Sequence, residues 1–263
     1  MDINSSLRLT LIGIFLLSIV MVPVFIGQRI GRTHIRRSPD LKDAPVGTVV
    51  AAALGTLAFL IAFIFQLAAS RYGDRKALLL EEVTNIRKTY LQAGLIGEPI
   101  RSDTRKLLVE YVDLRLELAN DTSKLRFALS RSQQILDTLW SYAENLASKD
   151  RSSEVYSLYT TSVNDLVDNF NHRVTMTLEY RIPPIIVWIL FVVVFFSMLT
   201  LGYQFGMSGR GNLLINTAFA FIFAVIMFLI ISLDRPETGL AKLDQKPMIT
   251  LQKQLQLRHS NDF

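Results

Sequence analysis

Asp168 and His172 stand four positions apart, a spacing that puts two side chains on one helix face and suits a pair of metal ligands. Asp165 and Glu179 extend that face, but nothing completes a ligand set, and a solvated polar face accounts for the pair. Glu81 and Glu82 are adjacent, so on a helix they point in different directions and cannot work as an acid–base couple. The stretch Gly206-Met-Ser-Gly-Arg-Gly211 has the glycine density of a phosphate loop, without a strand before it or Lys-Ser/Thr after it, and reads as a tight turn. His34 falls in a connection and His259 in the tail. The chain has no cysteine, which excludes disulfides, thiolate metal sites and cysteine nucleophiles. With no serine elbow and no metalloprotease or nucleotide motif, the sequence offers no catalytic residues, metal site or cofactor, and it does not read as an enzyme.

What must be positioned instead is a set of membrane helices. Of 263 residues, 19% are charged, against roughly 25% in a soluble domain. The deficit is concentrated in four stretches without Asp, Glu, Lys, Arg or His: residues 9–27, 47–70, 183–205 and 212–233. Each has about the 20 residues needed to cross a bilayer core of roughly 30 Å. The first is longer than a signal-peptide core and is followed by Arg29, Arg32, Arg36 and Arg37 rather than a cleavage site, so it reads as a retained anchor. The sequence therefore divides into a first membrane hairpin (1–70), a water-soluble segment (71–182), a second hairpin (183–233) and a basic C-terminal tail (234–263). Basic residues in the short flanking segments balance, but those at both ends of 71–182 favour a cytoplasmic placement of that segment and both termini, with a periplasmic one as the alternative.

Residues 71–182 carry 16 basic and 16 acidic side chains, so the net charge of +5 belongs to the flanks and no nucleic-acid footprint is present. The apolar spacing is helical throughout. One helix runs on from the second span through Leu79, Ile86 and Tyr90 to Gly94. Others carry Leu107 to Leu118, Leu125 to Leu146 and Val155 to Leu178. Trp140 is assigned to the core between them. The fold class is an all-α membrane protein: four transmembrane helices, with an antiparallel helical bundle inserted between the second and third.

No span holds an ionisable residue, which argues against a proton-coupled transporter. The second span presents Gly47, Ala51 and Gly55 at four-residue spacing, then Phe59, Phe63 and Gln66. In a homo-oligomer, Gly55, Phe59, Phe63 and Gln66 can line a pore, the phenylalanines forming a hydrophobic neck.

Several segments resemble the bestrophin-like family of bacterial membrane proteins. They are Phe59-Leu-Ile-Ala-Phe-Ile-Phe65 with Ala69-Ser-Arg-Tyr72, then Arg75, Glu82-Val-Thr-Asn85 and Thr89-Tyr90-Leu91. Arg181-Ile-Pro-Pro184-Ile-Ile-Val-Trp188 enters the third span, and Leu233-Asp234-Arg235-Pro236-Glu-Thr-Gly239 leaves the fourth. The resemblance implies kinship with bestrophins: pentameric anion channels with four membrane helices per subunit, cytoplasmic termini and a cytosolic helical domain. It also implies a multi-pass protein of the inner membrane, whose partners are the lipid bilayer, further copies of the chain and small inorganic anions. The dispersed acids of the tail carry over no calcium clasp. A non-conducting membrane sensor or scaffold, whose bundle binds a partner, is the alternative that the sequence leaves open.

Overall fold

The computed structural model describes residues 3–37, 45–178, 182–209, 213–234 and 242–261. Among the described residues the chain is all helix, with no strand: α1 (Ile3–Arg37), α2 (Val46–Ala93), α3 (Ile100–Asn120), α4 (Leu125–Lys149), α5 (Glu154–Leu178), α6 (Pro184–Ser208), α7 (Leu213–Asp234) and α8 (Lys246–Asn261). Helices α1, α2, α6 and α7 contain segments long and apolar enough to cross a membrane. The chain separates into two compact units, one of Met1–Tyr72 with Arg181–Lys242, the other of Gly73–Tyr180 with Leu243–Phe263.

In the first unit the core is aliphatic, built from Leu16, Val20 and Val24 of α1, Leu57, Ile61 and Ile64 of α2, Val194 and Met198 of α6, and Ala220 and Met227 of α7. Between helices in lipid, contact comes from close packing rather than from the hydrophobic effect, so small residues decide how near two backbones can come. Gly27 and Gly31 of α1 meet Gly202 and Gly206 of α6 in this way. A Cβ at Gly27 would lie 2.0 Å from the Leu199 carbonyl oxygen, at Gly31 2.3 Å from that of Tyr203, at Gly202 2.1 Å from that of Val24, and at Gly206 2.4 Å from that of Gln28. Two Gly-x-x-x-Gly pairs thus interlock backbone to backbone.

This seam carries α1 as far as Arg37, well beyond the apolar stretch that ends at Gly27. His34 is therefore helical rather than in a connecting loop, and its Nδ1 lies 2.6 Å from the hydroxyl of Tyr203 on α6. Helix α6 opens with Pro184 at its first position, where a missing N–H costs no hydrogen bond. It closes on Gly209, whose φ of +67° suits a residue without a side chain. The glycine-dense stretch is thus partly helix and partly helix stop: Gly206 packs on α1, and Gly209 ends α6.

In the second unit, the part of α2 after Tyr72 shares one core with α3, α4, α5 and α8, including Ile86, Tyr90, Leu108, Tyr111, Leu136, Leu139, Val163 and Leu166. The tail contributes α8, whose Met248, Leu251 and Leu255, three and four apart, are buried in the same core. Trp140 departs from its expected place. The buried stripe of α4 runs Ala128, Ser132, Ile135, Leu136, Leu139, Ala143 and Leu146. Trp140 is rotated off it, 37% exposed, with its indole N–H donating to Glu144 Oε1 at 3.1 Å.

The glycine seam makes a contrast that unfolding can read. Gly202→Ala drives a methyl group into the Val24 backbone and should cost about 3 kcal/mol or more in the detergent-solubilised protein. Gly13→Ala, where nothing lies within 4 Å, should be neutral or stabilising by up to about 1 kcal/mol. Equal effects of the two substitutions would contradict the seam.

Candidate functional site

Helix α2 buries one side and exposes the other. In its apolar half, Val50, Leu57, Ile61, Ile64 and Ala68 are buried at helical spacing, while Thr48, Ala51, Ala52, Gly55, Thr56, Phe59, Ala62, Phe63, Gln66 and Ser70 face outward. Phe59 is 70% and Phe63 58% exposed, so the four residues expected to line a pore, Gly55, Phe59, Phe63 and Gln66, do share one open face. Apart from these two phenylalanines, Val49 and the less exposed Phe65, the outward residues are small or weakly polar. The outward faces of the other apolar helices are bulky: Leu11, Ile14, Phe15, Phe25 and Ile26 on α1, Ile185, Ile189, Val192 and Phe196 on α6, Phe221, Ile222, Val225 and Leu229 on α7. Large aliphatic and aromatic side chains are what hydrocarbon solvates best; a surface of Ala, Gly, Thr and Ser gains little from lipid and suits close approach of a helix or of water.

The second half of α2 keeps a buried side of a different chemistry. Arg75, Glu82, Asn85 and Thr89 are all buried there. Their partners on α5 rise in number as those on α2 fall. Thr89 Oγ1 donates to the Ser162 carbonyl at 3.1 Å and Asn85 Nδ2 to the Asp165 carbonyl at 3.2 Å, while Asn169 Nδ2 reaches the Leu78 carbonyl at 3.4 Å. Lys88 adds an ion pair to Asp165 at 2.8 Å.

Glu82 is the centre of this seam. Its side chain is fully buried and its carboxylate is held from two neighbouring helices, α3 and α5. Arg115 of α3 donates from Nε to Oε1 at 3.0 Å and from Nη2 to Oε2 at 3.3 Å; the Tyr111 hydroxyl, one turn earlier, donates to Oε1 at 2.8 Å. Arg173 of α5 brings its Nε to 3.3 Å from Oε1. Burial, reinforced by the Glu82 charge, pushes the Tyr111 hydroxyl well above its ordinary range, so it stays a donor. Burial likewise pushes Tyr159, whose hydroxyl lies 2.9 Å from Thr104 Oγ1, up to about 12.

The family-motif positions thus fall into three groups. Glu82 and Asn85 lie on the polar seam with Arg75, and Tyr90 is buried with the Arg105 guanidinium 4.8 Å from its ring centre. Asp234, at the end of α7, accepts the backbone N–H of Ile182 at 3.2 Å, which ties it to the start of α6 and so to Pro184; Trp188, one turn on, is 68% exposed. Arg235, Pro236 and Gly239 lie outside the described residues.

Sequence reasoning missed Tyr111, Arg115, Asn169 and Arg173. The available signal was two four-residue spacings, Tyr111 with Arg115 and Asn169 with Arg173, each putting polar groups on an otherwise apolar stripe. The Asp168 and His172 pair is exposed, and Asp168 accepts from Asn164 Nδ2 at 2.9 Å. No group of three or more His, Cys, Asp or Glu among the described residues is placed to hold a metal.

Removing one partner of a buried ion cluster leaves the others unpaired. Glu82→Gln, which strands two guanidinium groups, should destabilise the protein by about 3–5 kcal/mol in chemical denaturation. Tyr111→Phe, which loses one hydrogen bond to a charged group, should cost about 2 kcal/mol. A Glu82→Gln protein as stable as wild type would remove Glu82 from its central place.

Comparison with known proteins agrees with this architecture. The chain matches the family model of the bestrophin-like domain over residues 14–248. The crystal structure of a bacterial bestrophin homologue from Klebsiella pneumoniae is similar with a TM-score of 0.68 at 16% identity, covering 94% of this chain and 98% of that one. A tryptophan-to-alanine variant of the homologue gives a TM-score of 0.70 at 14% identity, covering 94% and 97%. No curated protein matches the chain. The family match runs from within α1 to the start of α8, and on it this helical membrane protein belongs to the bestrophin-like family.

Proposed function

We propose that the chain is the subunit of a homo-oligomeric, anion-selective channel of the inner membrane. In this reading α2 lines the pore, with Gly55 and Gln66 on its wall and Phe59 and Phe63 at a hydrophobic neck. The observation that carries it is the open face of α2: mostly small and weakly polar around Phe59 and Phe63, where α1, α6 and α7 turn mainly bulky apolar side chains outward. Such a face packs poorly against lipid and is satisfied by neighbouring copies of α2 around a water-filled axis, where a ring of phenylalanines gates by dewetting. The kinship with bestrophins implies the anion preference. No charge falls on this face from Thr48 to Ser70, so a passing anion meets no fixed acid.

The same reading places residues 1–70 and 183–233 in the membrane as two hairpins. Residues 71–182 form an antiparallel bundle in the cytoplasm, joined there by both termini, with α8 of the basic tail packed on the bundle. Inorganic anions and lipid are its partners, nucleic acid is not, and no chemical step is assigned to it.

Purified protein reconstituted in planar bilayers should pass chloride current as a cross-linkable oligomer. Phe63→Ala, which removes one ring of the neck, should raise the conductance several-fold. A well-folded strict monomer, or an oligomer that passes no current, would overturn the channel in favour of a sensor or scaffold.

A further inference from the structure

Arg115 and Arg173 together carry more positive charge into the core than Glu82 can answer. Arg173 Nε lies 3.3 Å from Glu82 Oε1, yet neither Nε nor Nη2 of Arg173 makes a hydrogen bond to any described residue, and both atoms are buried. These two nitrogens form one edge of the guanidinium, along which two N–H groups point in parallel. It is the edge that grips planar oxyanions with two bonds.

The chain uses that edge twice elsewhere. Arg115 sets Nε and Nη2 on the two oxygens of Glu82 at 3.0 and 3.3 Å, and Arg131 sets the same pair on Glu110 at 2.6 and 3.0 Å. Arg173 presents the edge with no acceptor aligned to it. Glu82 cannot supply one, because Arg115 holds both its oxygens and the Tyr111 hydroxyl adds a third bond at 2.8 Å. The nearby carboxylates of α5 are occupied as well, Asp165 by Lys88 and Asp168 by Asn164. Two guanidinium groups against one carboxylate leave the cluster with one positive charge, in surroundings where an unanswered charge is costly. The Phe170 ring, 5.7 Å from the guanidinium carbon, covers part of the group. The side chain keeps 13% of its surface accessible, away from the buried edge, so an ion reaches that edge only as the packing around it opens.

We propose that a small planar oxyanion, of the bicarbonate or nitrate class, seats on the Nε–Nη2 edge of Arg173 and neutralises the Glu82–Arg115–Arg173 cluster. Binding there would tie α5 to α2 and α3 through the ion and make the stability of the second unit depend on the anion present.

The test is thermal unfolding of the full-length, detergent-solubilised protein at constant ionic strength as sodium sulfate is replaced by sodium nitrate. Wild type should show a saturable rise of a few degrees in Tm. Arg173→Gln should lose that rise, while Arg131→Gln, which removes the same edge at the half-exposed Glu110 pair, should keep it. No saturable rise in wild type, or an equal rise in Arg173→Gln, would overturn the proposal. Should Arg173→Gln fail to fold, wild-type crystals grown in sodium nitrate decide. Planar density bonded to Nε and Nη2 supports the seat; a water molecule or a bare edge there refutes it.

Discussion

A helix repeats every 3.6 residues, so a buried stripe that keeps its phase also fixes an open stripe on the far side, and α2 keeps its phase for 48 residues. Val50, Leu57, Ile61, Ile64 and Ala68 continue in register as Arg75, Leu79, Glu82, Ile86, Thr89 and Ala93, all buried. Opposite them, Gly55, Phe59, Phe63 and Gln66 are left open. The spacing of the stripe is constant, while hydrogen bonds and ion pairs join its apolar packing in the second half. Within each unit the packing can be understood as what is needed to hold the buried side of its own part of α2.

In the apolar unit the holding is done by shape. Gly27, Gly31, Gly202 and Gly206 let α1 and α6 touch backbone to backbone, and Ser197 of α6 donates to the Ala53 carbonyl of α2 at 3.3 Å. In the charged unit it is done by polarity. Asn85, Thr89 and Glu82 are tied to α5 and α3 by bonds that specify a single register, whereas aliphatic contacts alone would tolerate a slip. Both devices work on the buried side and leave the open side unconstrained.

Much of this was legible in the sequence. The long helix stops at Gly94 as expected, and the apolar runs Leu107 to Leu118, Leu125 to Leu146 and Val155 to Leu178 each fall within one helix, because breakers and periodicity act locally. The open face of α2 was legible for the same reason: periodicity along one helix reports its own sides. Pairings between distant segments were not. Gly27/Gly31 and Gly202/Gly206 have the same spacing as the Gly47, Ala51, Gly55 stripe, but a Cβ at Gly55 would meet nothing within 4 Å, whereas at Gly202 it would strike a backbone. Spacing names a smooth face and does not name what meets it. Trp140 failed differently: size suggested the core, but it is rotated off the Leu136, Leu139, Ala143 stripe, and its N–H is satisfied by Glu144 at the surface. Glu82 was visible as a motif residue, yet its meaning came from Arg115 and Arg173, 33 and 91 positions away along the chain.

The chain contains no cysteine, so any one introduced is the sole thiol in each subunit and reports its own surroundings. The central claim, that the small-residue face of α2 borders water while the bulky faces border lipid, is tested most directly with single cysteines in the reconstituted protein. A membrane-impermeant thiol reagent should modify Gly55→Cys and Gln66→Cys rapidly and alter their current, and leave Phe196→Cys and Phe221→Cys unmodified. Rapid modification of Phe196→Cys or Phe221→Cys, with Gly55→Cys and Gln66→Cys inert, would contradict it.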